Sequence, residues 1–214
     1  MLIKYPKIDS LFERGADFKL TNTFRDPAFE YLKDLKWQGF EKLDGTNVRI
    51  YWDGYRVSVH GRTDNAVFDK SFEEYLEKFK SKEFEELMEQ VFGEKEVHLF
   101  GEGLGPKIQS ESYTENKIVL FDILVQEHWL KYEDVKDIAN KLGFEVVNLE
   151  IEGTLNELIE YVKTPRKASN KDVQMEGLVA RPKCNLFTGK KRIQTKIKLD
   201  MFKQVEYYKE IGKF

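Results

Sequence analysis

Glu41-Lys42-Leu43-Asp44-Gly45-Thr46-Asn47 sets a lysine among two carboxylates and a carboxamide, just ahead of an alternating apolar run. A lysine amine is a nucleophile only after losing its proton, and nearby cations ease that loss. Lys196-Ile197-Lys198 supplies two cations at strand spacing, on one face. Between these blocks come, in order, His60-Gly61-Arg62-Thr63, Phe100-Gly101-Glu102-Gly103, Phe121-Asp122-Ile123 and Glu176-Gly177-Leu178-Val179. The set offers an amine, several carboxylates, an arginine fork and an aromatic ring, which together suit chemistry on a phosphorylated substrate. Taken singly, each has an ordinary explanation: a solvated lysine, a core phenylalanine, a glutamate at a strand edge. Their joint order carries the argument.

The elements that must hold these residues follow from periodicity. Asp26-Pro27 reads as an N-cap with proline in the first turn, opening a short helix to Leu35. Val48 to His60 alternates around Asp53-Gly54 and predicts a hairpin with a type I′ turn. Ser71 and Glu74 form the pattern of a capping box before apolar Phe72, Tyr75, Leu76 and Phe79. A second amphipathic helix is expected over 83–92, and a third over 132–142 ending at Gly143. Thr154 and Glu157 make another capping box, opening a helix to Lys163. Strands are expected at 97–100, 118–125, 144–149, 177–180 and 193–198, and a helical tail at 199–212. The fold class is therefore mixed α+β with antiparallel sheet, and every chemical block falls at a strand end or turn.

Composition narrows the setting. The chain has 214 residues, 41% hydrophobic and 14% aromatic, so it carries enough apolar surface for a core. No apolar run approaches 18 residues, and the start MLIKYPKIDS has no apolar h-region, so neither a membrane span nor a signal peptide is expected. One cysteine, Cys184, excludes a disulfide framework and points to a reduced, cytoplasmic protein. His60, His98 and His128 are not spaced as metal ligands, and the glycines at 101, 103 and 105 lack the Lys-Ser/Thr of a P-loop. The net charge of −3 hides an asymmetry: residues 181–214 hold ten Lys and Arg against three acids. A basic tract of this kind fits a polyanion as readily as solvent. Within it, Arg181, Lys183, Lys190, Lys191 and Arg192 are expected either to hold the phosphates of a polyanion or to form a solvated loop.

The six ordered blocks resemble motifs I, Ia, III, IIIa, IV and V of the covalent nucleotidyltransferase superfamily, which holds ATP-dependent ligases and mRNA-capping guanylyltransferases. The resemblance runs from Glu41 to Lys198. K-x-D-G-x-N, with Asn47 closing it, is similar to the nick-sealing, RNA-repair branch of RNA ligases. The resemblance implies a single 1–214 adenylyltransferase domain with an ATP-grasp-like ligase core. It implies ATP as co-substrate, with Lys42 attacking the α-phosphate to form lysyl-AMP and Lys196 and Lys198 neutralising the phosphate charge. Glu176 would hold Mg²⁺ or Mn²⁺, directly or through water. Glu102 would bind the ribose, Phe121 would stack on adenine, and Glu41 would accept from its amino group. Asp44 and Asn47 would shape the site near the lysine, and Arg62 would contact nucleotide or 5′-phosphate. The partner would be RNA with 5′-phosphate and 3′-OH ends, single-stranded or at a nick.

Relatives carry a further OB-fold or helical module after the last lysine motif, whereas only sixteen residues follow Lys198 here. The expectation is a catalytic core alone, with a partner protein a second source of the missing module. Two other readings stay open at this level: a small DNA ligase or guanylyltransferase, and a nucleic-acid binder that keeps the fold without the chemistry.

Overall fold

The structure is a computed structural model, and it describes residues 2–16, 20–109, 113–169 and 174–202. In chain order its strands are β1 (Asp9–Ser10), β2 (Phe12–Arg14), β3 (Leu20–Phe24), β4 (Trp37–Glu41), β5 (Thr46–Trp52), β6 (Val57–His60), β7 (Val97–Leu104), β8 (Lys117–Val125), β9 (His128–Trp129), β10 (Glu145–Val146), β11 (Leu149–Gly153), β12 (Gly177–Pro182), β13 (Phe187–Thr188), β14 (Lys191–Arg192) and β15 (Thr195–Lys198). The helices are α1 (Pro27–Leu32), α2 (Lys70–Leu76), α3 (Lys82–Phe92), α4 (Tyr132–Leu142) and α5 (Leu155–Lys163). This is the α+β architecture the patterning predicts, with mainly antiparallel sheets. No helix among the described residues is long and apolar enough to cross a membrane.

The chain clusters into two compact units. The first comprises Met1–Tyr5 and Asp44–Val147, the second Pro6–Leu43 and Asn148–Phe214. In the first, a sheet of order β10-β8-β7-β5-β6 carries β9 beside β8. Its apolar face, with Val48, Ile50, Leu99 and Leu120, packs on Phe72, Phe84 and Met88 from the helices. Phe84, Met88 and Phe92 recur at helical spacing and bury one face of α3. Each such side chain contributes about 1.5–3 kcal/mol when fully withdrawn from water. In the second unit, a five-stranded sheet of order β1-β15-β12-β4-β11 packs Trp37, Leu178 and Ile197 against Leu155, Leu158 and Val162 of α5. There β1 runs parallel to β15, and the other pairings are antiparallel.

Several local expectations hold and several change. Asp26 caps α1, accepting from Ala28 N at 2.9 Å, and Pro27 opens it. Thr154 and Glu157 make the full reciprocal box at α5. Gly143 ends α4 with a left-handed φ of 75°. The cap of α2 is Asp69 and not Ser71, because the Asp69 carboxylate accepts from Ser71 N at 2.9 Å and starts the helix two residues earlier. The β5–β6 hairpin turns at Gly54-Tyr55, one residue beyond the expected Asp53-Gly54: Asp53 N donates to Arg56 O at 3.2 Å, and Asp53 Oδ1 accepts from Tyr55 N and Arg56 N, with Gly54 at φ 104°. The strand expected at 144–149 is two strands in different units, β10 parallel to β8 and β11 antiparallel to β4. Residues 199–202 begin a helical turn, and the rest of the expected tail helix lies outside the described residues.

Candidate active site

In the second unit β4 delivers Lys42 at its end, where Lys42 N donates to Gly177 O at 2.9 Å. Gly177 starts β12 at φ 149°, and a Cβ there would stand 2.1 Å from Ile197 O. Only glycine lets β12 and β15 close at this point. That register sets Gly177 opposite Lys198, so the preceding Glu176 meets the lysine. Glu176 Oε2 accepts from Lys42 Nζ at 2.5 Å, and Oε1 lies 2.7 Å from Lys198 Nζ. Lys196 occupies the same face of β15, opposite Val179, two residues back.

The electrostatics follow from this packing. Burial works to raise the Glu176 pKa, but hydrogen bonds from Lys198 and Lys42 outweigh it and hold the carboxyl below its ordinary value. Lys196 is shifted down from the usual lysine value, by burial first and then by the charges of Lys42, Lys198 and Lys7, with Glu176 opposing. Lys196 Nζ makes no hydrogen bond or ion pair among the described residues. Three lysines therefore face one carboxylate, which leaves an excess of positive charge suited to a phosphate.

Glu41, buried, turns to other partners. Its carboxylate accepts from the Ser169 amide at 3.1 Å and from the Ser169 hydroxyl. Both oxygens are thus engaged within the protein, and none of these contacts joins Glu41 to the lysine cluster.

The first unit gathers a second set. β5 and β7 pair with Asn47 opposite Glu102. Glu102 Oε1 accepts from Gly45 N at 3.1 Å, tying the motif's turn to β7. A Cβ on Gly45 would stand 2.3 Å from Gly103 O, so this close approach requires glycine. The Asn47 Oδ1 is buried and has no hydrogen-bond partner among the described residues. Buried polar atoms are rarely left so. Phe121 lies in β8 at a register shift, between Leu120 opposite Gly101 and Asp122 opposite Phe100. Such a bulge leaves one residue without a ladder partner and re-aims its side chain. Asp44 and Arg62 are exposed, on the turn before β5 and on the loop after β6.

The expected residues thus divide into Lys42, Glu176, Lys196 and Lys198 brought together in the second unit, and Asn47 with Glu102 brought together in the first. Sequence reasoning missed Tyr5, whose hydroxyl donates to Asp122 Oδ2 at 2.9 Å and whose ring packs 5.0 Å from Phe121. Nothing in its local sequence marks it. The basic cluster after Glu176 is largely committed within the protein. Arg181 lies over the Phe40 ring, Arg192 bonds Asn185, Lys183 pairs with Glu152 and Lys191 with Asp9. Among the described residues no group of three or more His, Cys, Asp or Glu side chains could hold a metal ion.

The RNA ligase family profile matches residues 35–203, which spans every block above. The chain belongs to the RNA ligase family. Solved structures of the Naegleria gruberi RNA ligase share its fold. A point variant with ATP and Mn superposes with a TM-score of 0.67 at 18% identity, covering 99% of this chain and 59% of that one. Another variant, with AMP and Mn, gives 0.66 at 17% identity over 97% and 59%. The same ligase with pyrophosphate gives 0.63 at 19% identity over 96% and 64%. The chain of this family member spans between 54% and 64% of the lengths of the Naegleria ligase chains it matches. Comparison with curated protein sequences finds no match.

Proposed function

We propose that this chain is the adenylyl-transferring core of an ATP-dependent RNA ligase that works through lysyl-AMP. The observation that carries the reading is the Lys42–Glu176–Lys198 cluster with Lys196 beside it, in a member of the RNA ligase family. Lys42 Nζ attacks the α-phosphorus of ATP, a P–N bond forms, the bond to pyrophosphate breaks, and the amine proton passes to solvent. Lys196 and Lys198 balance the charge that builds on the α-phosphate oxygens. AMP then moves from Lys42 to an RNA 5′-phosphate, and attack by a 3′-OH joins the ends and releases AMP. As the resemblance implies, Glu102 takes the ribose hydroxyls, Phe121 stacks on the base, and the unpartnered Asn47 Oδ1 accepts from a ligand donor. Asp44 and Arg62 stay with the phosphate end, as the resemblance implies.

A divalent cation belongs to this reading, since Naegleria relatives were solved with ATP or AMP and Mn. Glu176 is the carboxylate the resemblance offers for it; both its oxygens are held by Lys42 and Lys198, so it would take a cation only by giving up one of those lysines, with waters and substrate phosphates supplying the other ligands. When bound it would draw charge off the phosphates. The exposed, single Cys184 accords with a reducing, cytoplasmic setting.

Incubation with α-labelled ATP and Mg²⁺ tests the proposal. Wild type takes up covalent label, pyrophosphate removes it, and Lys42→Ala takes up none. Equal label on Lys42→Ala, or none on wild type, overturns the mechanism. GTP run in parallel decides base preference, and sealing of nicked against single-stranded RNA decides the substrate.

A further inference from the structure

Residues 2–5 stand apart from the chain that follows them, because they pack in the first unit while Pro6 onward belongs to the second. Three anchors hold the segment. Arg49, fully buried in β5, donates from Nη1 to Ile3 O at 3.1 Å. Lys4 pairs with Asp64 at 3.1 Å. Tyr5 donates its hydroxyl to the buried Asp122 at 2.9 Å. The same Arg49 donates to Gly61 O at 2.7 Å and to Asp64 Oδ1 at 2.9 Å, so one guanidinium fixes both the segment and the loop that carries Arg62.

The Tyr5 ring meets three aromatic rings. It lies 5.0 Å from Phe100, 5.6 Å from Trp129 and 5.0 Å from Phe121, the last edge-on at 78°. Phe121 sits on the β8 bulge, where the ladder does not set its direction. A ring in that position takes its angle from lateral contacts, and Tyr5 supplies one. Tyr5 also grips Asp122, the next residue, and so holds the backbone on the far side of the bulge. An edge-to-face pair with its hydroxyl anchored has two directional contacts where plain apolar packing would have none.

We infer that Tyr5 is a positioning residue for Phe121: the Leu2–Tyr5 segment sets the angle at which the Phe121 ring meets the base of a bound adenine nucleotide. This rests on the adenylyl-transfer reading for the identity of the ligand. Tyr5 touches no reacting atom and acts through Phe121 and Asp122.

Calorimetric titration of AMP, which cannot transfer, tests this on the full chain. Tyr5→Phe keeps the ring and loses the Asp122 hydrogen bond; Tyr5→Ala loses both. The expected result is AMP affinity down about 3-fold for Tyr5→Phe and about 10-fold or more for Tyr5→Ala. A merely structural role is separated by a cycle with Phe121→Leu. If Tyr5 acts through Phe121, Tyr5→Phe changes affinity less than about 1.5-fold in the Phe121→Leu background. Wild-type affinity in Tyr5→Phe, or an equal loss in both backgrounds, overturns the inference, and Tyr5→Phe carries the test if Tyr5→Ala does not fold. Wild type that binds AMP but takes no label from ATP overturns the lysyl-AMP reading and leaves this inference to the titration. Wild type that binds no AMP overturns both.

Discussion

Lys196 pays in stability for where it stands. Burial and the charges of Lys42, Lys198 and Lys7 hold its pKa below the ordinary 10.5, with no ion-pair partner among the described residues to compensate. Between the lowered folded value and the ordinary one, the unfolded chain binds more protons than the folded chain. Stability therefore rises with pH through that window, and the full penalty is present below it. Lys196→Met removes the penalty, so its melting temperature at neutral pH should exceed wild type by a few degrees. The gap should narrow as pH rises toward 10.5. If Lys196 neutralises the α-phosphate as proposed, the same variant should lose about 100-fold or more in Lys42 labelling. Melts across alkaline pH, with labelling rates alongside, check both halves. At this scale the sequence was informative about residue types: Lys42, Glu176, Lys196 and Lys198 do meet. It could not show that the Glu41 carboxylate is taken by Ser169, because a contact across 128 residues leaves no local pattern.

Elements turn those residues toward one another, and one glycine decides whether they do. Gly177 has a φ of 149° and no room for a Cβ beside Ile197 O. Gly177→Ala should cost about 1–3 kcal/mol in denaturant melts, by strain and by prising β12 from β15. It should also reduce labelling well beyond what the stability loss explains, because Glu176 and Lys198 are held by that register. The helices were largely legible, since their apolar residues recur at 3.6-residue spacing and their caps are local side chains. Misreadings came where two local signals competed. Asp69 and Ser71 both suit a cap, and the aspartate wins by bonding Ser71 N. Asp53-Gly54 suits the centre of the turn, but the Asp53 side chain accepts from two amides and shifts the centre one residue on, to Gly54-Tyr55.

Across the whole molecule the chain changes unit at Tyr5–Pro6, Leu43–Asp44 and Val147–Asn148. No linker composition marks these points, which is why the sequence predicts one strand over 144–149. The charge divides with them: the first unit holds 14 Lys and Arg against 22 Asp and Glu, the second 21 against 16. The basic half is the one with Lys42, Lys196 and Lys198. Because Arg181, Lys183, Lys191 and Arg192 are committed to intramolecular partners, these four should contribute few RNA contacts. Lys190, exposed on the β13–β14 turn, is the exception. Lys190→Ala should weaken RNA binding about equally for all sequences and make the log–log salt slope shallower by about 1. Arg192→Ala should act on stability instead, since that side chain is buried. Filter binding over a salt series, with melts of both variants, distinguishes them.

The exposed Cys184 lies two residues beyond the end of β12, the strand that begins beside Glu176. It is the only thiol in 214 residues. A maleimide dye will therefore attach at one defined position without any background substitution, and the attachment point belongs to the second unit. Fluorescence from that position can follow nucleotide and RNA binding in the otherwise unaltered sequence.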